Sequence, residues 1–286
     1  MLMRLRVFII VSSCILVLIS ASCANLFFQP GHKFVNKPFP DGVAIKDQWI
    51  KSDGLILHSW YLYPEKGDCR SLILYLHGNA ENISTHIHAV AWLAPKGYCV
   101  LAPDYRGYGK SEGSPDIDGI NNDAVNVLAF AVAIAKQESR PLIVFGQSLG
   151  GALAIYAVAN SKDKSLIAAL IVEGTFFSYS TIATEKTADV ALTWPLQPFV
   201  SVLTVDRYSP DRWADKVAPV PLLIMHGEHD HTIPIHHGKD LFNMAREPKQ
   251  FWKTLPAGHA ASFRDPAIRD KFLEYLTKMS ESRLSK

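Results

Sequence analysis

The run Pro141-Leu142-Ile143-Val144-Phe145-Gly146-Gln147-Ser148-Leu149-Gly150-Gly151-Ala152-Leu153-Ala154-Ile155-Tyr156 changes character at its middle. Pro141–Phe145 is continuously apolar and β-branched, as expected of a strand covered on both faces. From Leu149 onward, small and apolar residues predict a buried helix over 149–160. Between the two stands Gly-Gln-Ser-Leu-Gly, a G-x-S-x-G spacing that marks a sharp strand-to-helix turn. Such a turn forces its central residue into a rarely occupied backbone conformation, and the flanking glycines remove Cβ atoms that would collide there. Ser148 is therefore expected to project its hydroxyl at the carboxyl end of a sheet.

The surrounding sequence supplies that sheet. Apolar runs at Ser71–Leu76, Tyr98–Ala102, Leu166–Val172 and Pro221–Met225, with a final short strand at Gln250–Leu255, alternate with helical patterns. The helices are expected at about 82–95, 117–137, 149–160, 235–246 and 265–280. Alternation of this kind predicts βα units and a mostly parallel sheet, eight strands in all. Residues 43–63 predict an antiparallel hairpin turning at Ser52-Asp53-Gly54. One interval, 175–215, breaks the rhythm with aromatics and prolines, and an insertion there suits a small cap over a site. The expected organisation is a signal peptide over 1–23, a linker over 24–42, and one α/β domain over 43–280.

The 286 residues are 48% hydrophobic and 20% charged, which excludes a disordered chain and a multi-span membrane protein. Charge adds a second exclusion. Of 29 Lys and Arg, Arg4 and Arg6 lie in the leader, leaving 27 against 27 Asp and Glu, so the basic footprint of a nucleic-acid binder is missing. The leader couples those arginines to an apolar run from Val7 to Ile19, shorter than the ~20 residues of a membrane span, and ends in small residues, the pattern of an export signal. Ser20-Ala21-Ser22-Cys23 resembles a bacterial lipobox but carries Ser20 where an aliphatic residue is usual. Export is expected, with either a membrane tether through lipidated Cys23 or ordinary cleavage near Ala24. Cys69 and Cys99 each open or precede a predicted strand; two small buried apolar residues are the favoured reading over a disulfide.

Four ordered motifs carry a family resemblance: His77-Gly78-Asn79-Ala80, Asp104-Tyr105-Arg106-Gly107-Tyr108-Gly109-Lys110-Ser111, Gly146-Gln147-Ser148-Leu149-Gly150, and His226-Gly227-Glu228-His229-Asp230. Over residues 43–280 the chain resembles the α/β-hydrolase fold serine hydrolases, within them an esterase-like subgroup of depalmitoylase-type proteins and exported bacterial homologues. The resemblance implies a chain order of Ser, acid, His. A serine hydroxyl needs a base to take its proton and an acid to orient that base. His259, in the loop Pro256-Ala257-Gly258-His259-Ala260 beyond the last predicted strand, is the expected base. Asp230 is the expected acid. Glu173 is its rival, read as a structural carboxylate bonding amides of the following turn. The oxyanion amides are expected at Leu149 and Asn79. His77 is read as holding that loop, and Arg106 as stabilising a tight turn.

The implied activity is hydrolysis of carboxylic esters or thioesters through an acyl-serine, on a small-molecule or acylated substrate, by a monomer. A serine aminopeptidase, a lysophospholipase or a non-catalytic binding module on the same fold are the alternatives. His226, His229, His231, His236 and His237 invite a metal site, yet Glu228 stands where a dinuclear zinc motif needs histidine. No cofactor is expected, because no G-x-G-x-x-G or Walker spacing occurs. Phe176, Trp194 and Phe199 are expected to form an apolar mouth or to pack the cap.

Overall fold

A computed structural model describes residues 28–188 and 206–284. The leader, Cys23, Trp194 and Phe199 lie outside the described residues. The architecture is centred on one eight-stranded sheet. Its strands are β1 (Val43–Ser52), β2 (Leu55–Pro64), β3 (Ser71–Leu76), β4 (Tyr98–Pro103), β5 (Leu142–Gln147), β6 (Ile167–Glu173), β7 (Leu222–Gly227) and β8 (Lys249–Thr254). Their order is β8-β7-β6-β5-β3-β4-β2-β1, with β3 to β8 parallel and the β1–β2 hairpin antiparallel. The hairpin turns on Asp53 and Gly54, both at positive φ (48° and 82°), a pair of conformations that matches the twist of the flanking strands.

Every residue of β3 through β7 is buried, which explains the unbroken apolar runs. Alternate residues divide between two layers. Leu72, Leu74, Val144, Val172 and Ile224 face a core with α1 (Ile117–Gln137) and α2 (Leu149–Asn160). Ile73, Tyr75, Phe145, Ile171 and Met225 face the other, with Phe272 and Leu276 of the last helix. Truncating one of these side chains to alanine would cost about 2–5 kcal/mol. Helix α3 (Tyr179–Ala188) follows β6, α4 (Ile235–Met244) follows β7, and α5 (Pro266–Leu284) ends the described chain.

Three expectations differ from the structure. The helix expected at 82–95 is a single α-turn, Ile83–His86, followed by 3-10 turns at Ile87–Ala89 and Ala91–Lys96. Val90 leaves helical backbone (φ −124°) and Pro95 has no N–H to offer. Cys69 and Cys99 form a disulfide with Cα atoms 5.5 Å apart. Strand register alone would set Cys69 opposite Lys96; the chain instead bends at Arg70, whose amide donates to Gly97 O at 2.8 Å, and this carries Cys69 to Cys99. Finally, residues 28–35, read as linker, are bonded to the body. Phe28 is buried, and Gln29–Pro30 pairs with Ala80–Glu81.

Because β3 to β8 run the same way, their carboxyl ends share one edge. His77, Asp104, Ser148, Gly174 and Glu228 each stand one residue beyond β3 to β7, so the chemically equipped residues gather there without any being adjacent in sequence.

Candidate active site

Ser148 sits at φ 53°, ψ −120°, the strained turn that the motif predicts, and opens α2. The glycines around it are required by close approach. A Cβ at Gly146 would lie 2.3 Å from the Gly150 carbonyl oxygen, and one at Gly150 would lie 2.0 Å from that of Leu76. Leu149 is the first residue of the helix, so its amide has no acceptor within the helix and is available to a developing anion. Gly78 of the β3 loop packs on the nucleophile, its Cβ position 3.5 Å from Ser148 Cβ.

Asp230 and His259 meet directly, Nδ1–H of His259 donating to Oδ2 of Asp230 at 2.8 Å. The other oxygen, Oδ1, accepts the amides of Thr232 (2.9 Å) and Ile233 (2.8 Å), which fixes the carboxylate in its loop. Burial raises the Asp230 carboxyl, but the His259 hydrogen bond and charge outweigh it, and the net shift is downward. The pair lies beside the nucleophile's strand. Ser148 N–H donates to the Glu173 carbonyl at 2.9 Å, and a Cβ on the next residue, Gly174, would be 3.3 Å from both Asp230 Oδ2 and His259 Nδ1.

Glu173 is buried and fully engaged elsewhere. Its carboxylate accepts Gln147 Nε2–H (2.6 Å) and the Ser262 amide (2.9 Å), and Tyr75 O–H in turn donates to Gln147 Oε1. It is a structural carboxylate, though the amide it holds belongs to the segment after His259 and not to its own following turn.

His77 holds the loop through an identifiable bond. A carbonyl only accepts, so His77 Nδ1–H donates to Gly78 O at 2.7 Å. That oxygen and the Asn79 N–H belong to one planar peptide and point in opposite directions, so fixing the carbonyl also fixes the direction of the amide. Tyr108 O–H adds bonds to Asn79 O (2.8 Å) and Oδ1 (2.9 Å), and Tyr105 O–H bonds His77 O (2.8 Å). Arg106 grips Asp123 with Nε (3.0 Å) and Nη2 (2.8 Å) and also reaches Asp53, so it clamps the β4 turn to α1 and the hairpin.

Sequence reasoning gave Asp104 no role. Its Oδ1 accepts the Ile83 amide at 2.8 Å and lies 3.2 Å from His77 Nε2, while Oδ2 lies 3.9 Å from buried His58. The signal available was the quoted Asp-Tyr-Arg-Gly motif, which says that a carboxylate ends β4 but not which histidines face it.

The histidine-rich run disperses in the fold. His226 is buried, its Nε2–H donating to Ile233 O at 2.8 Å. Among the described residues, His236 and His237 converge with Glu185 of α3, each Nε2 lying 3.0 Å from a carboxylate oxygen. The Phe177 amide donates to His237 Nδ1 at 3.1 Å, so the proton of this neutral ring sits on Nε2 and is given to Glu185. A metal at Nε2 would have to displace that proton. The trio is a hydrogen-bonded clasp between α3 and α4. Phe176, offered for an apolar mouth, is buried against Tyr179 (ring centroids 4.7 Å apart) and packs the base of the insertion.

The profile of a family described as serine aminopeptidase, S33, matches residues 67–216. The chain is 33% identical over 268 residues to YfhR of Escherichia coli O157:H7, an uncharacterized protein, covering 91% of this chain and 88% of that one. It is 30% identical over 225 residues to lysophosphatidylserine lipase ABHD12 of Xenopus tropicalis, covering 72% of this chain and 57% of the relative. The solved structure of Pyrococcus furiosus esterase Pf2001 superposes with a TM-score of 0.66 at 18% identity, over 90% of this chain and 99% of that chain.

Proposed function

The chain belongs to the α/β-hydrolase family described as serine aminopeptidase, S33, and on that premise we propose that it cleaves carboxylic esters or thioesters through an acyl-serine intermediate. His259 takes the Ser148 proton as Oγ attacks the substrate carbonyl. Asp230 holds the imidazole in the tautomer whose Nε2 can accept, and stabilises the imidazolium that forms. The amides of Leu149 and Asn79 receive the oxyanion. Collapse breaks the acyl bond, and His259 returns the proton to the leaving alcohol or thiol. Water then repeats the sequence, its oxygen staying on the released acid and its proton passing through His259 to Ser148.

The observation that carries this proposal is the 2.8 Å Asp230–His259 bond beside a serine held at φ 53°. The names of the Xenopus lipase and the Pyrococcus esterase support an ester, while the family description supports an amide as the competing substrate. The proposal includes export and a membrane tether through Cys23, or release to the periplasm. The Cys69–Cys99 disulfide fits an oxidising compartment.

The test is fluorophosphonate labelling of the purified protein, followed by competing esters of graded chain length, thioesters and aminoacyl amides. Labelling of Ser148 with ester preference is expected. Preference for aminoacyl amides would replace esterase by aminopeptidase.

A further inference from the structure

Behind the oxyanion loop, three buried polar atoms make no well-aligned hydrogen bond to any group among the described residues: His58 Nδ1, His77 Nε2 and Asp104 Oδ2. Buried polar atoms left in this way call for a physical reason. The protonation state of His77 supplies one. Its Nδ1–H donates to Gly78 O at 2.7 Å, so that nitrogen keeps its hydrogen. Its Nε2 lies 3.2 Å from Asp104 Oδ1, with both side chains closed to solvent. A neutral ring would turn a lone pair toward the carboxylate there, two acceptors with no hydrogen between them. The arrangement is satisfied when the ring carries a hydrogen on each nitrogen.

The neighbours agree with a charge on this ring and not on another. Burial raises the Asp104 carboxyl, but the His58 and His77 contacts and the Ile83 amide outweigh it, so the net shift is downward and the group is a carboxylate. His58 gives its Nε2–H to Asp47 at 2.7 Å, and its Nδ1 stands 3.9 Å from Asp104 Oδ2, too far to take the pairing from His77. Tyr105 lies nearly face on to His77, ring centroids 4.6 Å apart and planes 33° apart, a contact that favours a cation. His86, stacked on His77 at 5.1 Å, is pushed down to about 4 by burial and by the His77 charge, and stays neutral.

Resting on the ester-hydrolase reading, we propose that His77 is a buried imidazolium paired with Asp104, and that its positive charge stabilises the oxyanion through the Gly78–Asn79 peptide. The Gly78 carbonyl is the end of that peptide bonded to His77, and the Asn79 amide is the end that meets the oxyanion. A cation bonded to the carbonyl polarises the peptide and leaves its N–H a stronger donor. Little water is present to screen the charge. His77 is thus a positioning residue, acting through Asn79 without touching substrate. A buried ion pair contributes little stability by itself. Here it holds a charge where the reaction develops the opposite one.

The test begins with nitrogen NMR of the full chain carrying isotope-labelled histidine, at about pH 7.5, where a free histidine is mostly neutral. A ring with hydrogen on both nitrogens is expected, absent from His77→Asn. That variant keeps an N–H in the place of Nδ1 but strands the Asp104 charge. The double variant His77→Asn, Asp104→Asn removes both charges together, so neither is left buried and unpaired. In the double variant kcat for p-nitrophenyl butyrate is expected to fall about tenfold or more, with KM within about twofold of the parent. A His77 ring with only one hydrogen would overturn the inference and leave the hydrolase reading standing, and so would a double variant with the parent kcat. A parent chain that hydrolyses no ester and takes no fluorophosphonate would overturn the hydrolase reading, and with it the role of the charge.

Discussion

The main-chain carbonyl of Glu173 accepts the Ser148 amide at 2.9 Å. The carboxylate of the same residue holds Gln147, just before the nucleophile, and Ser262, just after the His259 loop. One buried residue thus joins the strand that carries the serine to the segment that carries the base.

Replacing Glu173 by Gln would turn one acceptor oxygen into a donor facing a donor. The expected loss is about 1–3 kcal/mol of stability, with kcat reduced less than about tenfold. Thermal melts and steady-state hydrolysis of p-nitrophenyl butyrate measure both. A collapse of kcat with the fold intact would transfer the acid role from Asp230 to Glu173.

Ser148→Ala should abolish nearly all ester hydrolysis while leaving the melting temperature close to that of the parent. Asp230→Asn loses the charge that favours the imidazolium and offers His259 an ambiguous partner. A loss on the order of 10³–10⁴ in kcat is expected. Activity within tenfold of the parent would exclude Asp230 from the triad.

The Cys69–Cys99 bond closes a loop of 30 residues at the end of β3 away from the site. By chain entropy it stabilises the fold by roughly 3–4 kcal/mol. The double substitution to Ser should lower the melting temperature by several degrees and leave kcat/KM at 25 °C unchanged. A parallel fall in kcat/KM would mean that the bond reaches the site.

Acid should weaken the fold through its histidines before its carboxylates. Burial, together with the adjacent His77, pushes the His86 imidazole down to about 4 from the usual 6.5, and burial shifts His226 and His237 the same way. The unfolded chain therefore takes the proton first. Stability is complete above about pH 6.5 and is lost between there and about pH 4, with up to about 3 kcal/mol from His86. Asp104 and Asp230 are shifted below 3.8 and act only under that window. Melting curves at pH 7.5 and 4.5 test the sign, and His86→Gln should flatten the difference.

Strands β3 to β7 were legible because burial on both faces leaves a continuous apolar signature, and α2 because the Ser148 turn marks its start. The gathering of Ser148, Asp230 and His259 at one edge of the sheet was legible for a related reason, since each follows a strand of a parallel sheet. What stayed hidden depends on pairings between strands and loops. The disulfide needs the bend at Arg70 that turns Cys69 toward β4, Asp104 needs the two histidines that β2 and the β3 loop bring to it, and the Glu185 clasp needs the docking of α3 on α4. The 28–35 strap hid behind Gly31, whose close contact with Glu81 has no local sequence cue.

The backbone of Ser148 has one more consequence. Glycine occupies φ 53°, ψ −120° at little steric expense, whereas any residue with a Cβ is strained there by about 1–3 kcal/mol. A library of this gene passed repeatedly through heat, with no demand placed on turnover, would accumulate glycine at position 148. Only concurrent selection for catalysis would keep the serine, so heat-only lineages would gain thermal tolerance at the codon where they lose their chemistry.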